Sequence, residues 1–146
     1  MIAGLQVNFL WNDYDVIEIS INASNGEFAG KTKAYASRGG LAEAASILEG
    51  FPRQISDTRE VELGSFEPNS AGGGISMKLS CRDGAGHAAL DLRIASEGPS
   101  ASWWNCPVQS VHLFAKVEAA AIDDFMTELR RLDADQAGST FLRFTK

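Results

Sequence analysis

The tetrapeptide Asp83-Gly84-Ala85-Gly86 constrains this chain more than any other stretch. It is rich in turn formers and lies between two runs of alternating apolar residues, Ile75–Arg82 and His87–Ala95. If those four residues are the loop, Arg82 faces His87 and every other pair is set. Leu79 then meets Leu90, Met77 meets Leu92 and Ile75 meets Ile94. On the opposite face Lys78 meets Asp91. One side collects the apolar residues and the other a charge pair, and a one-residue slip would reverse both. Arg59–Phe66 has the same alternation and precedes this hairpin, which predicts a three-stranded meander.

The flanking segments extend this pattern. Leu5, Val7, Phe9 and Trp11 alternate as a first strand, ended at Trp11-Asn12-Asp13-Tyr14. Ile17, Ile19, Ile21 and Ala23 line a second. Asn25-Gly26 reads as a type I′ turn, which places Ser24 opposite Glu27, Ile19 opposite Thr32, Ile17 opposite Ala34 and Glu18 opposite Lys33. Glu27–Tyr35 is then the third strand. Leu41, Ala44, Ala45 and Leu48 share one helical stripe and predict a helix over Gly40–Glu49, stopped by Gly50 and Pro52. Val108–Val117 alternates as a strand. Ile122, Phe125, Met126, Leu129 and Leu132 predict a second helix over Glu118–Leu132. Its acidic start and its Arg130-Arg131 end suit the helix dipole. Phe141, Leu142 and Phe144 in the tail suit a short strand or a cover for a strand edge. Consecutive strands joined by hairpins give the α+β class. The expected fold is a single domain over residues 1–146, with one mainly antiparallel meander sheet of about six to seven strands and two helices packed on one face.

Composition narrows the functional classes. A chain of 146 residues buries enough apolar surface to fold without disulfides or metal. Cys81 and Cys106 lack metal or disulfide spacing, which suits a reducing, cytoplasmic setting. Apolar runs are shorter than a membrane span, and Met1-Ile2-Ala3-Gly4-Leu5 lacks the basic start of a secretory signal. A net charge of −6 without clustered Lys or Arg argues against nucleic acid and favours a basic partner.

Several stretches invite a chemical reading. Asn69–Gly74 is glycine-rich, but a strand comes after it where a phosphate loop needs a helix, so a hairpin connection fits better. Cys81, His87 and His112 are potential metal ligands, yet Cys81 points to the core with Leu79 whereas His87 faces the other way. Neither G-x-S-x-G nor a poised carboxylate pair is present, so no cofactor and no catalytic residue is expected. Trp103-Trp104 lies in the Gly-, Pro- and Ser-rich segment Glu97–Pro107. Adjacent indoles there cannot easily both turn inward. One reading makes them a hydrophobic anchor for a partner, rimmed by Glu97; the other makes them a lid over the sheet. Phe114 falls on the mixed face of its strand and implies that this face is partly covered. A homo-oligomer joined through Phe114 or the tail is a further arrangement the pattern admits.

Asn22–Gly30, Leu48-Glu49-Gly50-Phe51-Pro52, Phe66–Gly74, and Cys81-Arg82-Asp83 with Gly86-His87 occur in that order. Together they resemble a family of small, mostly uncharacterised bacterial proteins. In layout the chain is also similar to immunity proteins of the WapI toxin type. The resemblance covers most of the chain, rests on turn and strand motifs, and carries over no catalytic residue. It implies a non-catalytic bacterial protein that neutralises a toxin domain by direct contact. The residue pattern itself, not the resemblance, makes Trp103, Trp104, Glu97 and Phe114 the candidate binding residues. The alternative is a small-molecule-binding or regulatory domain with a cavity between sheet and helices.

Overall fold

The computed structural model describes residues 2–67, 71–97 and 109–145. The elements run β1 (Gly4–Asn12), β2 (Val16–Ser24), β3 (Ala29–Ser37), α1 (Gly40–Leu48), β4 (Thr58–Gly64), β5 (Gly74–Cys81), β6 (His87–Ala95), β7 (Ser110–Glu118), α2 (Ala119–Asp135) and β8 (Ser139–Arg143). The class is α+β, but the strands form two antiparallel sheets of four, ordered β3-β2-β1-β8 and β4-β5-β6-β7. The single meander is therefore divided. Local pairing carries through each hairpin, but nothing in a period-2 pattern says where one sheet stops. The tail is a full partner: Leu5 pairs with Leu142 and Val7 with Thr140. Among the described residues, no helix is long and apolar enough to cross a membrane.

The meander has the expected register. Arg82 N–H donates to the His87 carbonyl at 2.8 Å, and Leu79–Leu90, Met77–Leu92, Ile75–Ile94 and Lys78–Asp91 are paired. Its inner face continues through Val61 and Leu113, both buried. The β2–β3 hairpin departs from expectation. Its loop residues are Gly26 and Glu27, because Asn25 N–H bonds to the Phe28 carbonyl at 3.1 Å. Asn25 keeps a negative φ, while its Oδ1 accepts the N–H groups of Glu27 and Phe28, both at 2.9 Å. Of the two expected turn residues only Gly26 takes positive φ, at 93°, so a type I′ turn centred on Asn25-Gly26 is not formed. Moving the loop by one position moves the pairing by two. Ile19 meets Ala34, Ile17 meets Ala36, and Glu18 meets Tyr35 instead of Lys33. The parity survives, so the apolar face is still the inner one.

β3 joins the two sheets. Along its inner side a Cβ on Gly30 would strike Val111 and approach Ile94, Thr32 lies against Gly73 near the Ala95 carbonyl, and Ala34 lies against Gly64. Partners thus pass from β7 and β6, through the start of β5, to the end of β4. A strand that meets successive strands this way crosses them, as in orthogonal sheet packing. Gly73 N–H then donates to the Lys33 carbonyl at 2.7 Å. The Gly-rich run therefore lets backbone pass close to backbone. Pro68, Asn69 and Ser70 lie outside the described residues. At the other corner, Thr145 N–H donates to the Lys116 carbonyl at 2.7 Å.

The helices pack on each other and on both sheets, with α1 against β3 and β4 and α2 against β7 and β8. They bridge the sheets; they do not cover one face of one sheet as expected. Asp133 of α2 caps α1 by accepting the Ala42 N–H at 2.7 Å. Arg59 holds the other end of α1. Its guanidinium donates to the Ile47 and Glu49 carbonyls at 2.6 and 3.0 Å, and pairs with both oxygens of Asp57 at 2.9 Å. Cations suit a helix C-terminus, and a two-point carboxylate contact fixes the plane of the guanidinium. α2 extends past Leu132 to Asp135 and ends at Gln136 in left-handed conformation, its N–H on the Leu132 carbonyl. Arg130 and Arg131 are thus not in its last turn; they pair with Glu49 and Glu128.

Two measurements test this architecture. Gly64 has φ 77°, and a Cβ there would overlap the Gly73 carbonyl and Ala34. Gly64→Ala should cost at least about 3 kcal/mol in urea unfolding, from left-handed strain plus overpacking. Gly26→Ala, also at positive φ but in open space, should cost only about 1 kcal/mol. Similar costs at both sites would remove the crossing argument. The Asp57 carboxyl is lowered from 3.8 to about 2, chiefly by the Arg59 hydrogen bond and then by the Arg53 N–H. Its contribution is present above pH 3.8 and is lost as pH falls toward 2. Asp57→Asn should remove that part of the acid dependence of stability.

Candidate binding surface

The outer face of the second sheet is built by the alternation that fills the core: each residue beside a buried one points outward. The register aligns Arg82, His87 and Glu118 in one row, then Ser80, Ala89 and Lys116, then Glu60, Lys78, Asp91 and Phe114, then Glu62, Ser76, Arg93 and His112. Both histidines of the chain therefore share this face. Phe114 stands between them, 63% exposed. Its ring lies 4.8 Å from that of His112, tilted 45°. His112 Nε2 contacts Asp91 Oδ1 at 2.5 Å. Arg93 lies over the Phe66 ring at 4.8 Å, a cation–π contact.

Phe114 is tied in place by its backbone. Asn25 Nδ2 donates to the Phe114 carbonyl at 3.0 Å, so the β2–β3 turn fastens onto the edge of β7. That turn also carries Phe28, which is 58% exposed. On the face expected to be partly covered, Phe114 itself stays 63% exposed, with His112 beside its ring and Asn25 on its carbonyl.

The sequence did not reveal the grouping at the β5–β6 turn. His87 Nδ1 contacts Asp83 Oδ2 at 2.5 Å, and His87 Nε2 lies 3.4 Å from Glu118 Oε1. Asp83 Oδ1 also accepts the N–H groups of Ala85 and His87, at 2.9 and 3.2 Å. This turn borders a cleft of about 540 Å³ that Arg82 and Lys116 also line. The available signal was the D-G-A-G-H spacing. An aspartate opening a tight loop satisfies the loop N–H groups and reaches the residue that closes it. An Asp–His contact polarises the imidazole and favours its charged form. The arrangement can hold a proton on His87, but among the described residues no group of three or more metal-ligating side chains is placed to bind an ion. Cys81 is buried on the core side, its Sγ on the Asp83 carbonyl at 3.1 Å.

Of the other expected binding residues only Glu97 lies among the described residues. It accepts the Gly72 N–H at 3.1 Å, so it anchors the glycine run beside Tyr35. Trp103 and Trp104, in the connection between β6 and β7, lie outside the described residues, as does Cys106. No family model matches this chain, and no curated protein or solved structure matches it.

His87 is raised above the ordinary histidine value of 6.5, first by the Asp83 hydrogen bond and then by the charges of Asp83 and Glu118. Asp83 is correspondingly lowered below 3.8 by His87. Because the folded value of His87 is the higher one, its stabilisation is full below pH 6.5 and is lost as pH rises through the folded value. A proton–carbon NMR titration should place His87 above 6.5, and Asp83→Asn should bring it down. An unchanged midpoint in that variant would mean the contact is not formed in solution.

Proposed function

We propose that this chain is a non-catalytic bacterial binding protein that neutralises a basic toxin-like domain by direct contact through the outer face of the second sheet. The observation that carries the reading is Phe114, an aromatic ring 63% exposed in the middle of a paired strand. Large aromatic side chains on ordered backbone lose little entropy when a partner covers them, and they make effective anchors. The net charge of −6 would attract a basic domain and speed encounter. Opposite charges within the face, such as Lys78 beside Asp91 and Glu60, give the contact its register. The likeness in layout to WapI-type immunity proteins supports the same role, with action in the cytoplasm. Trp103 and Trp104 are further candidate anchors on sequence grounds.

The test uses tagged protein to capture its partner from the source bacterium, scored against the product of the neighbouring gene. A stoichiometric complex with a basic domain, whose activity is blocked, is the expected result. Phe114→Ala should weaken that complex at least about tenfold, with the melting temperature changed by no more than a few degrees. Lack of a complex, or equal affinity in the variant, would overturn this reading of the face.

A further inference from the structure

His87 stands between two carboxylates that belong to different elements. Its Nδ1 lies 2.5 Å from Asp83 Oδ2 in the β5–β6 turn, and its Nε2 lies 3.4 Å from Glu118 Oε1 at the end of β7. A neutral imidazole donates from one nitrogen and accepts at the other, so it serves one carboxylate and repels the second. Only the imidazolium donates from both nitrogens. The bridge is therefore a property of the protonated ring.

Its two ends are unequal. Asp83 also accepts the N–H groups of Ala85 and His87, which fix it in the turn. The Glu118 carboxylate has the longer contact and, among the described residues, no second partner. Glu118 is also the residue that opens α2. Its φ of −91° and ψ of 149° are those of an N-cap, yet its side chain accepts no helical N–H. The first turn has no acidic residue. The N–H groups there and the dipole of a 17-residue helix both attract negative charge. One carboxylate is thus drawn two ways, to the charged ring and to the helix start.

We infer that Glu118 is a two-position switch thrown by the proton on His87. While the ring is charged, Glu118 bridges to it. When the ring loses that proton, Asp83 keeps the remaining ring N–H, and Glu118 swings to the N–H groups of Ala120 and Ala121, the second and third residues of α2. The other charged groups about the ring change the midpoint and not the outcome. Arg82 at the turn and Lys116 of β7 line the same cleft and oppose protonation. Asp83 and Glu118 outweigh them and hold His87 above 6.5. α2 brings no titratable group before Asp123, and the tail brings Thr145. Arg143 of β8 shares a neighbouring cleft with Glu118 and is the competing destination. A side chain caps α2 only on the alkaline side of the His87 transition, which couples the start of the helix to the outer face of the second sheet.

A proton–nitrogen NMR titration of the full chain through the His87 midpoint tests this. The Ala120 and Ala121 amide protons should move downfield as pH rises, with the midpoint of the His87 ring. His87→Ala should hold them at their high-pH positions across that range. Glu118→Ala should abolish the movement and lower the His87 midpoint. Both side chains are about half exposed, at 54% and 46%, so both variants should melt with the parent. If Glu118→Ala does not, Glu118→Gln is read in its place, with the same loss of movement. Persistence of the movement without the Glu118 carboxylate would assign it to the ring charge alone. A response at Arg143 Nε with none at Ala120 and Ala121 would put the released carboxylate on β8. Either result, or amides that do not titrate with His87, would overturn the switch.

Discussion

The passage of β3 across the second sheet is the constraint on which the remaining structure depends. Gly30, Gly73 and Gly64 remove the atoms that would keep the two sheets apart. Close approach then brings Thr32 and Ala34 into the same buried core as Ile94 and Val61. Side chains at the three glycine positions would hold the layers apart and open gaps that are costly in a close-packed interior. β3 leads into α1, so the crossing decides where α1 meets β4.

Electrostatics acts locally in this molecule. Arg59 is the strongest example, because it joins the C-terminal carbonyls of α1 to Asp57 at the start of β4 with side chains only 18% and 11% exposed. The other ion pairs are more open and contribute less to stability. Their value lies in position. Asp83 organises a turn and a histidine together, Asp91 holds His112 beside Phe114, and Asp133 supplies the cap that Gly39 cannot give α1. Carboxylates placed in this way satisfy backbone and imidazole groups.

The two edges of the second sheet consequently differ in chemistry. The β7 edge presents an exposed aromatic ring among paired charges. The β4 edge presents a recess whose character comes from the meeting of β3, α1 and β4.

What the sequence determined by itself was local. The β5–β6 register, both helices and the inward parity of β2 to β7 come from period and turn chemistry, because these act between residues close along the chain. The alternation read through Leu5, Val7, Phe9 and Trp11 fails at its end, where the register shifts after Phe9 and Trp11 lies exposed opposite Glu18. The β2–β3 register was off by two, since the choice between Asn25-Gly26 and Gly26-Glu27 turned on the Asn25 side chain taking the loop N–H groups. Phe114 was legible as an outward residue, and its pairing with His112 comes from alternation. The division into two sheets, the contact of Glu97 with Gly72 and the meeting of His87 with Glu118 were not legible. The last two follow from strand pairing carried to its ends, Glu97 with Gly72 beyond the β5–β6 ladder and His87 with Glu118 at the end of the β6–β7 ladder. The division depends on contact between segments far apart in sequence, made only when β3 crosses the ends of β4 to β7 over its glycine seam, and no periodicity within a single strand records which other strand it will cross.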